Sequence, residues 1–595
     1  MFRPLARGPG RSRGVVVPLL GRVVRRFEAA SHEHRDGLDV LHLAGTPYEM
    51  GRQHGHFLRE EIREGIFDYY LCCLSRVVER SQLRKISGFL QLITRVFRRE
   101  FFARFIRDRL LKHVPPAMGD EIRGIAEGAE IGFEQALRSG VVADVLLYLL
   151  GRMFRKQGAL APSQIATACT SVAAWGAATV DGRLVHGRNL EFWGVGKWDA
   201  HPVALVCAPD RGLRFISVTT AGVGTGGITA MNEAGLTLAL NIVPCREVSL
   251  DGTPIVGFGN EIIRRAETIA DAVKVASEMR ASCGFALTLA EAKGRRAAVL
   301  EVSASRQTLR DTPSDSIVQT NHYVHPDMAP FGIEVNSSVR LHTLGRYLRA
   351  RQLLARDRGS IDEGRMAEYL GDHVDPFTGR ERAVGNTIAQ VNNISSVVFV
   401  PERREAWIAV GPAPVSHNRF HALRLDEELG RVPRGEVAPY HEGNRFARGE
   451  RNDALRKYME AYVRFEERGD AVEVLPFVEE AVRLDPAEPS YALVCGVLRL
   501  KAKRFPEAAA VLERAIAEAD LPHKRAVARF WKGMAHRFMG EAEAAEKEFA
   551  GVRGAEGVGR DLHDAVDDHQ FGIETVEDLA ALDVDFVFTD VFRAE

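Results

Sequence analysis

The spacing of apolar residues changes twice along this chain of 595 residues, and one compact core cannot satisfy all three patterns. From about Thr46 to Phe154, apolar residues recur every three or four positions, which predicts helices. From Cys169 to about Val410, short apolar runs are separated by turn residues, which predicts strands with helices between them. After Leu429 the helical spacing returns. The chain is therefore predicted to be α+β with an all-helical C-terminal part.

The clearest local signal is a hairpin that begins at Cys169. Asp181-Gly182, a dipeptide favoured in two-residue hairpin turns, lies between the predicted strands Thr170–Thr179 and Arg183–Gly187. The residues before it, Lys156–Ala168, are rich in Gly, Pro, Ser and Gln and predict an exposed loop. Cys169 would therefore stand where an accessible loop enters a strand.

Other elements follow from the same rules. A second hairpin is predicted from Ser396–Val400 and Ala406–Val410, which flank polar residues. Helices are predicted over Phe89–His113, Gly119–Glu130, Gly259–Met279 and Arg340–Leu354.

Domain boundaries are expected where composition shifts. Residues 1–35 carry many arginines and no acidic residue before Glu28, which predicts a disordered basic arm. Residues 36–429 are predicted to form one domain of two segments, 36–168 and 169–429, followed by a linker over 430–450. In 451–595, Val478–Arg483 resembles Leu512–Ala517 at an offset of 34 residues, the tetratricopeptide period. A generic helical bundle is the alternative.

Composition excludes several function classes. The formal net charge of −1 argues against nucleic acid as a main partner. Seven cysteines without a CxxC pair suggest neither a disulfide scaffold nor a zinc site, and they favour a reducing, cytoplasmic location. No run of about 18 apolar residues is present, so no integral membrane segment is predicted.

No cofactor or metal is expected either. Gly222, Gly224 and Gly227 match the spacing of a dinucleotide fingerprint, but the residues after them predict a strand and not the required helix. A glycine-rich wall that lets substrate approach the backbone is the better interpretation. The pairs His54/His56 and His322/His325 lack the acid and spacing of a zinc motif, so local hydrogen bonding is expected of them.

Cys169 is the candidate nucleophile. Antiparallel pairing returns the end of the second strand to the start of the first, so Arg188 and Glu191 are predicted to lie near Cys169. A guanidinium beside a thiol lowers its pKa. No histidine is placed by sequence as a base. Cleavage of the Ala168–Cys169 bond would free an α-amino group, whose ordinary pKa of about 7.7–8.0 suits it to take the thiol proton.

Four motifs in order carry a family resemblance. They are Gly45–Gly55, the stretch from Ala168 through Asp181-Gly182 to Glu191, Gln319–Tyr323 and Ser337–Arg340. Together they resemble the N-terminal cysteine hydrolases and, in particular, the penicillin acyltransferase (acyl-coenzyme A:6-aminopenicillanate) family. The resemblance implies a four-layer αββα core. It also implies that Cys169 is both the self-cleavage and the catalytic nucleophile.

The resemblance assigns further roles. Arg188 would sit beside the thiolate, and Glu191 takes a position where the family usually has Asp to hold the α-amino group. Asn241 and Asn321 match asparagines of the oxyanion hole, although turn or strand-end hydrogen bonding is the alternative for both. Arg340 resembles a site arginine of the bile-salt hydrolase relatives, with a helix-surface ion pair as its alternative.

The expected reaction is amide hydrolysis or acyl transfer through a Cys169 acyl-enzyme. Its substrates would be small linear amides such as N-acyl amino acids, penicillins or N-acyl lipid amides. One alternative is an ester hydrolase like the phospholipase-B-like proteins. Another is an inert adaptor whose helical repeats bind a protein partner.

Overall fold

The computed structural model describes residues 17–19, 22–65, 107–155, 168–435, 440–567, 573, 575–580 and 584–589. The predicted loop 156–167 and most of the predicted helix Phe89–His113 lie outside these residues. The strands are β1 (Val17–Leu19), β2 (Arg22–Phe27), β3 (Ala30–Arg35), β4 (Leu38–Gly45), β5 (Ala168–Gly176), β6 (Gly182–Glu191), β7 (Pro202–Pro209), β8 (Phe215–Thr220), β9 (Thr229–Asn232), β10 (Leu236–Ile242), β11 (Phe285–Glu291), β12 (Arg296–Val302), β13 (Gln307–Arg310), β14 (Ser316–Gln319), β15 (Asn393–Val400), β16 (Glu405–Ala409), β17 (Phe420–Arg424) and β18 (Tyr440–His441).

The helices fall into two groups along the chain. Those of the α+β part are α1 (Pro47–Phe57), α2 (Arg59–Glu64), α3 (Arg107–Leu110), α4 (Pro116–Gly128), α5 (Phe133–Gly140), α6 (Val142–Met153), α7 (Ile255–Arg265), α8 (Ile269–Ser277), α9 (Ser337–Arg356), α10 (Glu363–Leu370) and α11 (Leu425–Glu428). Those of the C-terminal part are α12 (Arg451–Arg468), α13 (Ala471–Leu484), α14 (Pro489–Lys501), α15 (Phe505–Glu518), α16 (Pro522–Phe538), α17 (Ala542–Arg553), α18 (Arg560–Asp567) and α19 (Val576–Ala580).

Two sheets form the centre of the α+β part. One has the strand order β1-β2-β3-β4-β7-β8-β9-β10-β11-β12-β13, and the other has the order β14-β5-β6-β15-β16-β17-β18. Neighbouring strands are antiparallel, except for β4 and β7. Val40 and Ile216 of the first sheet pack against Phe399 and Ile408 of the second, so the facing surfaces share one apolar layer.

Helices cover the outer faces of both sheets. Apolar residues of α1 and α7 join those of the first sheet in one buried cluster. Leu353 of α9 and Met366 of α10 pack against Val172 and Val398 of the second sheet. The arrangement is helix, sheet, sheet, helix. The predicted α+β class and four-layer core are thus confirmed.

Glycines of the first sequence motif serve the packing of α1 against α4. A Cβ on Gly51 or Gly55 would overlap backbone atoms of α4, and one on Gly124 or Gly128 would overlap backbone atoms of α1. The two helices therefore touch backbone to backbone, which only glycine permits. Thr46 and Glu49 fix the start of α1 through a capping box.

Both predicted hairpins are present. β5 pairs with β6 around Asp181-Gly182, and β15 pairs with β16 across a short 3-10 turn at Pro401–Arg403. The predicted helix Gly259–Met279 is instead two helices, α7 and α8. Thr268 separates them, because its side chain and that of Asp271 form a new capping box at this point.

The expected disordered arm is corrected over residues 22–35, where β2 pairs with β3 and β3 pairs with β4; residues 1–16 of the arm lie outside the described part of the chain. Arg25 Nε of β2 donates to His32 Nδ1 of β3 at 2.9 Å, and Val24 is buried. The expectation was wrong because it rested on the number of arginines, which does not reveal a hairpin with a two-residue turn. Likewise the expected linker is not free of structure, because β18 pairs with β17 and a 3-10 helix covers Arg445–Arg448.

In the C-terminal part each helix from α12 to α17 packs on the next. Helices α13 and α15 have 14 residues each, and their first residues are Ala471 and Phe505, which is the spacing of the sequence repeat. The tetratricopeptide assignment itself stays a prediction. No helix in the described part of the chain has an apolar stretch long enough to cross a bilayer.

This helical part is attached firmly to the α+β part. Arg382 Nε donates to Asp520 at 3.0 Å, and the buried Glu488 carboxylate accepts from the backbone N–H of Ala383 at 2.7 Å. Lys524 donates to Ser338 Oγ at 3.1 Å, at the start of α9. A tail that only recruits a partner could be deleted without loss, but these contacts make the tail part of the support of α9.

Candidate active site

Cys169 is the second residue of β5 and lies almost fully buried at the start of the hairpin, with 1% of its surface exposed. In the β5–β6 register it pairs with Leu190, while Ser171 pairs with Arg188 and Ala168 with Glu191. Side chains alternate along a strand, so Cys169, Ser171 and Arg188 share one face and Glu191 lies on the other. The Cys169 face is directed toward the first sheet, because Ser171 Oγ donates to Asn241 of β10 at 2.8 Å.

Arg188 contacts the Cys169 thiol, as the hairpin predicted. Its Nη2 lies 3.4 Å from Cys169 Sγ and also donates to the carbonyl of Leu240. The guanidinium is 1% exposed. A buried guanidinium is therefore in direct contact with the sulfur of Cys169.

On the opposite face, side chains hold the backbone of Cys169. The Cys169 backbone N–H donates to Asn321 Oδ1 at 2.5 Å. Arg346 of α9 donates to the carbonyl oxygen of Cys169, to Thr170 Oγ1 at 3.0 Å and to Asn321 Oδ1 at 3.0 Å. One buried guanidinium therefore fixes both the strand and the asparagine that meets the nucleophile's own nitrogen.

Glu191 is fully buried beside these groups. Its Oε1 accepts a long hydrogen bond, 3.4 Å, from Asn393, and its Oε2 has no partner among the described residues. Burial raises the pKa of Glu191 to about 7, although Arg346 and Arg188 oppose the rise. Oε2 is an acceptor available near the Ala168–Cys169 bond, since Ala168 is the partner of Glu191 across the hairpin, and cleavage of that bond would create an α-amino group on Cys169.

The raised pKa makes a prediction about stability. The folded state holds the Glu191 proton more tightly than the unfolded state, so the contribution of this group to the free energy of unfolding should fall as pH rises from about 4.5 to about 7. The test uses an uncut Cys169→Ala chain as the parent. The free energy of unfolding of its Glu191→Gln variant, relative to that of the parent, should increase by roughly 3 kcal/mol from acid to mildly alkaline pH. Urea unfolding at both pH values measures this difference. The exposed Glu368→Gln is the control, and equal pH profiles for the Glu191 pair would contradict the burial argument.

The two asparagines expected to stabilise an oxyanion both approach the site, but their amides are partly engaged. Asn321 Nδ2 donates to the carbonyl of Ile242 at 2.8 Å, and Asn241 Nδ2 donates to that of Gln319 at 3.4 Å. Each amide nitrogen carries a second hydrogen. The oxyanion role therefore stays a proposal, whereas the contact of Asn321 with the Cys169 nitrogen is a feature that the sequence did not indicate.

Arg340 is not brought to Cys169. It lies exposed on α9, and the arginine that contacts the Cys169 backbone is Arg346, six residues later. Six residues rotate a helix by about 240°, so the two side chains leave in different directions. A sequence signal for Arg346 exists: Val339, Thr343, Arg346, Ala350 and Leu353 follow helical spacing and are all buried, so Arg346 is a cation within an otherwise uncharged buried stripe.

Two cavities have neighbours of Cys169 in their walls. The apolar cavity has an empty volume of about 870 Å³. Its wall includes Leu190, Leu240 and Ile242, which lie next to Cys169, Arg188 or Asn321, together with α4, α5, α6 and the first turns of α7. Such a lining suits an apolar ligand.

The basic cavity lies between the α+β part and the helical tail, with an empty volume of about 1920 Å³. Asn321 and Arg346, which hold Cys169, line it. Further charged residues of its wall are Arg246, Arg340, Arg560 and Glu334. Cations thus outnumber carboxylates in this wall, which favours an anionic ligand.

The glycine-rich segment lines a cavity, and His54 and His322 make local hydrogen bonds. β9 follows Gly227, so no helix begins where a dinucleotide fold would need one. Gly222 and Gly224 line the apolar cavity. His54 Nε2 accepts from the backbone N–H of Gly222 at 3.0 Å, and His322 contacts Thr343 Oγ1 at 3.0 Å.

Known proteins resemble parts of this chain. An uncharacterized protein of Archaeoglobus fulgidus is 28% identical over 375 residues, which are 57% of this chain and 58% of that protein. Protein dcd1A of Dictyostelium discoideum is 24% identical over 216 residues, 33% of this chain and 40% of its own. The chain thus spans less than two thirds of either relative. A solved conjugated bile acid hydrolase variant of Clostridium perfringens is 13% identical, covers 46% of this chain and 97% of its own, and has a TM-score of 0.29, too low to carry weight.

A family model matches the central part of the chain. Residues 199–413 match the model described as acyl-coenzyme A:6-aminopenicillanic acid acyl-transferase. The matched segment contains Asn241, Asn321 and Arg346 and begins after Cys169 and Arg188. The family recognised from the sequence motifs is thus confirmed over residues 199–413, the segment that matches the acyl-coenzyme A:6-aminopenicillanic acid acyl-transferase model.

Proposed function

We propose that this protein is a self-processing cysteine amidase or acyltransferase that acts on linear amides through a Cys169 acyl-enzyme. The observation that carries the proposal is the surroundings of Cys169. A buried guanidinium lies 3.4 Å from its sulfur, and Asn321 and Arg346 hold its backbone nitrogen and carbonyl. The match to a family named for acyl transfer supports the same class of chemistry.

The reaction would begin with cleavage of the Ala168–Cys169 bond, which frees the α-amino group of Cys169. That amine takes the thiol proton, and Arg188 stabilises the thiolate. The thiolate attacks the amide carbon of the substrate, and the second N–H of Asn241 or Asn321 donates to the developing oxyanion. The amine returns its proton to the departing nitrogen as the C–N bond breaks. Water or a second amine then attacks the thioester and restores the thiol.

The two cavities support separate binding sites for the acyl group and the amine portion of the substrate. The apolar cavity would take the acyl group, and the basic cavity would take the amine portion. An anionic amine portion fits the basic wall best, which favours N-acyl amino acids among the amides considered. Asn321 and Arg346 lie in the basic wall and contact Cys169, so an amine portion bound there would lie beside the nucleophile.

The charge preference can be tested with two matched amides. N-dodecanoylglycine should be turned over about tenfold faster, in kcat/KM, than the neutral N-dodecanoylglycinamide, because an ionic hydrogen bond is worth roughly 1.5–3 kcal/mol. Arg340 has no ion pair among the described residues and lines this cavity, so Arg340→Gln should reduce the preference. Arg351→Gln on the same helix is the control, since Arg351 lines a different cavity. Equal kcat/KM values for the two amides would contradict the preference for an anionic amine portion.

An ester substrate distinguishes the first alternative function. O-dodecanoylglycolate has the shape of N-dodecanoylglycine with oxygen in place of the amide N–H. Turnover of this ester by the processed enzyme, with none of either amide, would support the phospholipase-B-like alternative. Absence of both processing and turnover would support the adaptor.

A further inference from the structure

The apolar cavity contains three polar side chains that the proposed reaction does not use. They are Glu121 of α4, Asn260 of α7 and Trp198, which precedes β7. The other side chains of this wall are apolar. All three polar residues are at least nine-tenths buried. A cavity built only for a plain alkyl chain would have no need of them, because buried polar groups are costly unless paired.

Glu121 and Asn260 meet at one wall, the loop between β8 and β9, and Trp198 contacts Thr220, the last residue of β8. Glu121 Oε1 accepts from the backbone N–H of Thr225 at 2.6 Å, and Asn260 Nδ2 donates to Thr225 Oγ1 at 3.1 Å. The carbonyl of Trp198 accepts from Thr220 Oγ1 at 3.0 Å. The wall next to Cys169 is formed by different, apolar residues, Leu190 and Ile242 among them.

Two polar atoms of these three residues lack partners. Within the described part of the chain, neither Asn260 Oδ1 nor Trp198 Nε1 makes a hydrogen bond, and both atoms are buried. The first can only accept and the second can only donate. Glu121 adds a carboxylate that shares Thr225 as a partner with Asn260, and burial raises its pKa. Two residues of the cavity wall therefore carry a donor and an acceptor whose hydrogen bonds no described residue makes.

We infer that the apolar cavity takes an acyl chain that carries a hydroxyl group, which is bound by Trp198, Asn260 and Glu121. A hydroxyl is the small group that both accepts, here from the indole N–H, and donates, here to an amide or carboxylate oxygen. An ammonium could not accept from Trp198, and a ketone could not donate to Asn260. This inference rests on the proposed function, since it names the acyl group of that reaction.

Matched N-acylglycines test the inference on the wild-type full chain. Octanoyl-, dodecanoyl- and hexadecanoylglycine would each be compared with the derivatives hydroxylated at the β and ω carbons. At one chain length and position, the hydroxyl should raise kcat/KM by about tenfold, because it pairs groups that a methylene leaves unpaired. Plain chains favoured at every length and position would overturn the inference.

Two tryptophan variants test which side chain causes the preference for hydroxylated acyl chains. Trp198→Phe keeps an aromatic ring and removes the N–H, so the ratio of kcat/KM for hydroxylated over plain chains should fall by about threefold or more. Trp531→Phe is the control: its indole nitrogen is also buried without a partner among the described residues, but it lies in α16 of the tail. An unchanged ratio in folded Trp198→Phe would remove Trp198 from the site.

A binding measurement separates this inference from the proposed function. If no amide is turned over, calorimetry of the wild-type chain with ω-hydroxydodecanoic and dodecanoic acids still compares the two acyl groups. Tighter binding of the hydroxy acid would support the hydroxyl site even though the proposed reaction had failed. Equal or weaker binding of the hydroxy acid, with no preference in turnover, would overturn the hydroxyl site.

Discussion

Replacing Cys169 with alanine is expected to leave the purified chain uncut and to abolish amide turnover. The alanine variant has neither the thiol that attacks nor the free amine that would serve as its base. The wild type should yield two chains, the larger beginning at Cys169. Mass spectrometry and N-terminal sequencing measure the processing, and release of glycine from N-dodecanoylglycine measures the turnover.

A second buried cysteine provides the control for this prediction. Cys207 in β7 is fully buried, and burial raises its pKa well above the ordinary value, so it is a poor nucleophile. Cys207→Ala should therefore be processed like the wild type. Fully active wild-type material with an intact Ala168–Cys169 bond would disprove the α-amino base, whatever the variants show.

The contact between Cys169 and Arg188 could be predicted from the sequence because it is local. A two-residue turn at Asp181-Gly182 fixes the register of the hairpin, and the register places residue 188 near residue 169. The same reasoning placed Glu191 near the cut bond. It did not show that strand alternation puts the Glu191 carboxylate on the face opposite the thiol.

Contacts made over long sequence distances were harder to predict. Arg346 reaches Cys169 from a helix 177 residues later, and a motif match pointed to Arg340 on that helix instead. Only the helical phase of α9 distinguishes the two arginines, and a motif does not encode phase. In the same way, the strands within the basic N-terminal segment depend on pairing with β4, which residue composition does not reveal.

The support that the helical tail gives to the site could not be predicted from the sequence either. Phe588 packs edge-on against His342 of α9 with ring centroids 4.6 Å apart, and Lys524 donates to Ser338 at the start of the same helix. His342 is buried and contacts Gln390. The tail thus packs on the helix whose Arg346 holds the nucleophile, which gives it a physical connection to the reaction.

Arg346→Lys is expected to slow processing and turnover by about a hundredfold, because small displacements of a reacting group have effects of this size. The two terminal nitrogens of Arg346 contact three groups: the Cys169 carbonyl, Thr170 Oγ1 and Asn321 Oδ1. A lysine ammonium is a single point on a shorter side chain and cannot span them, although it keeps the charge that faces Glu191. The loss should appear mainly in kcat, with KM for N-dodecanoylglycine changed less.

Arg349→Lys provides the matched control, since Arg349 lies one turn further along α9 and pairs with Asp372 at 2.7 Å. The same substitution there alters an ion pair of the helix without touching Cys169, so processing should keep its rate. If both variants lose the same activity, the effect belongs to the stability of α9. If neither loses activity, Arg346 does not position the nucleophile, and the hydrogen bond from Cys169 to Asn321 must suffice to hold it.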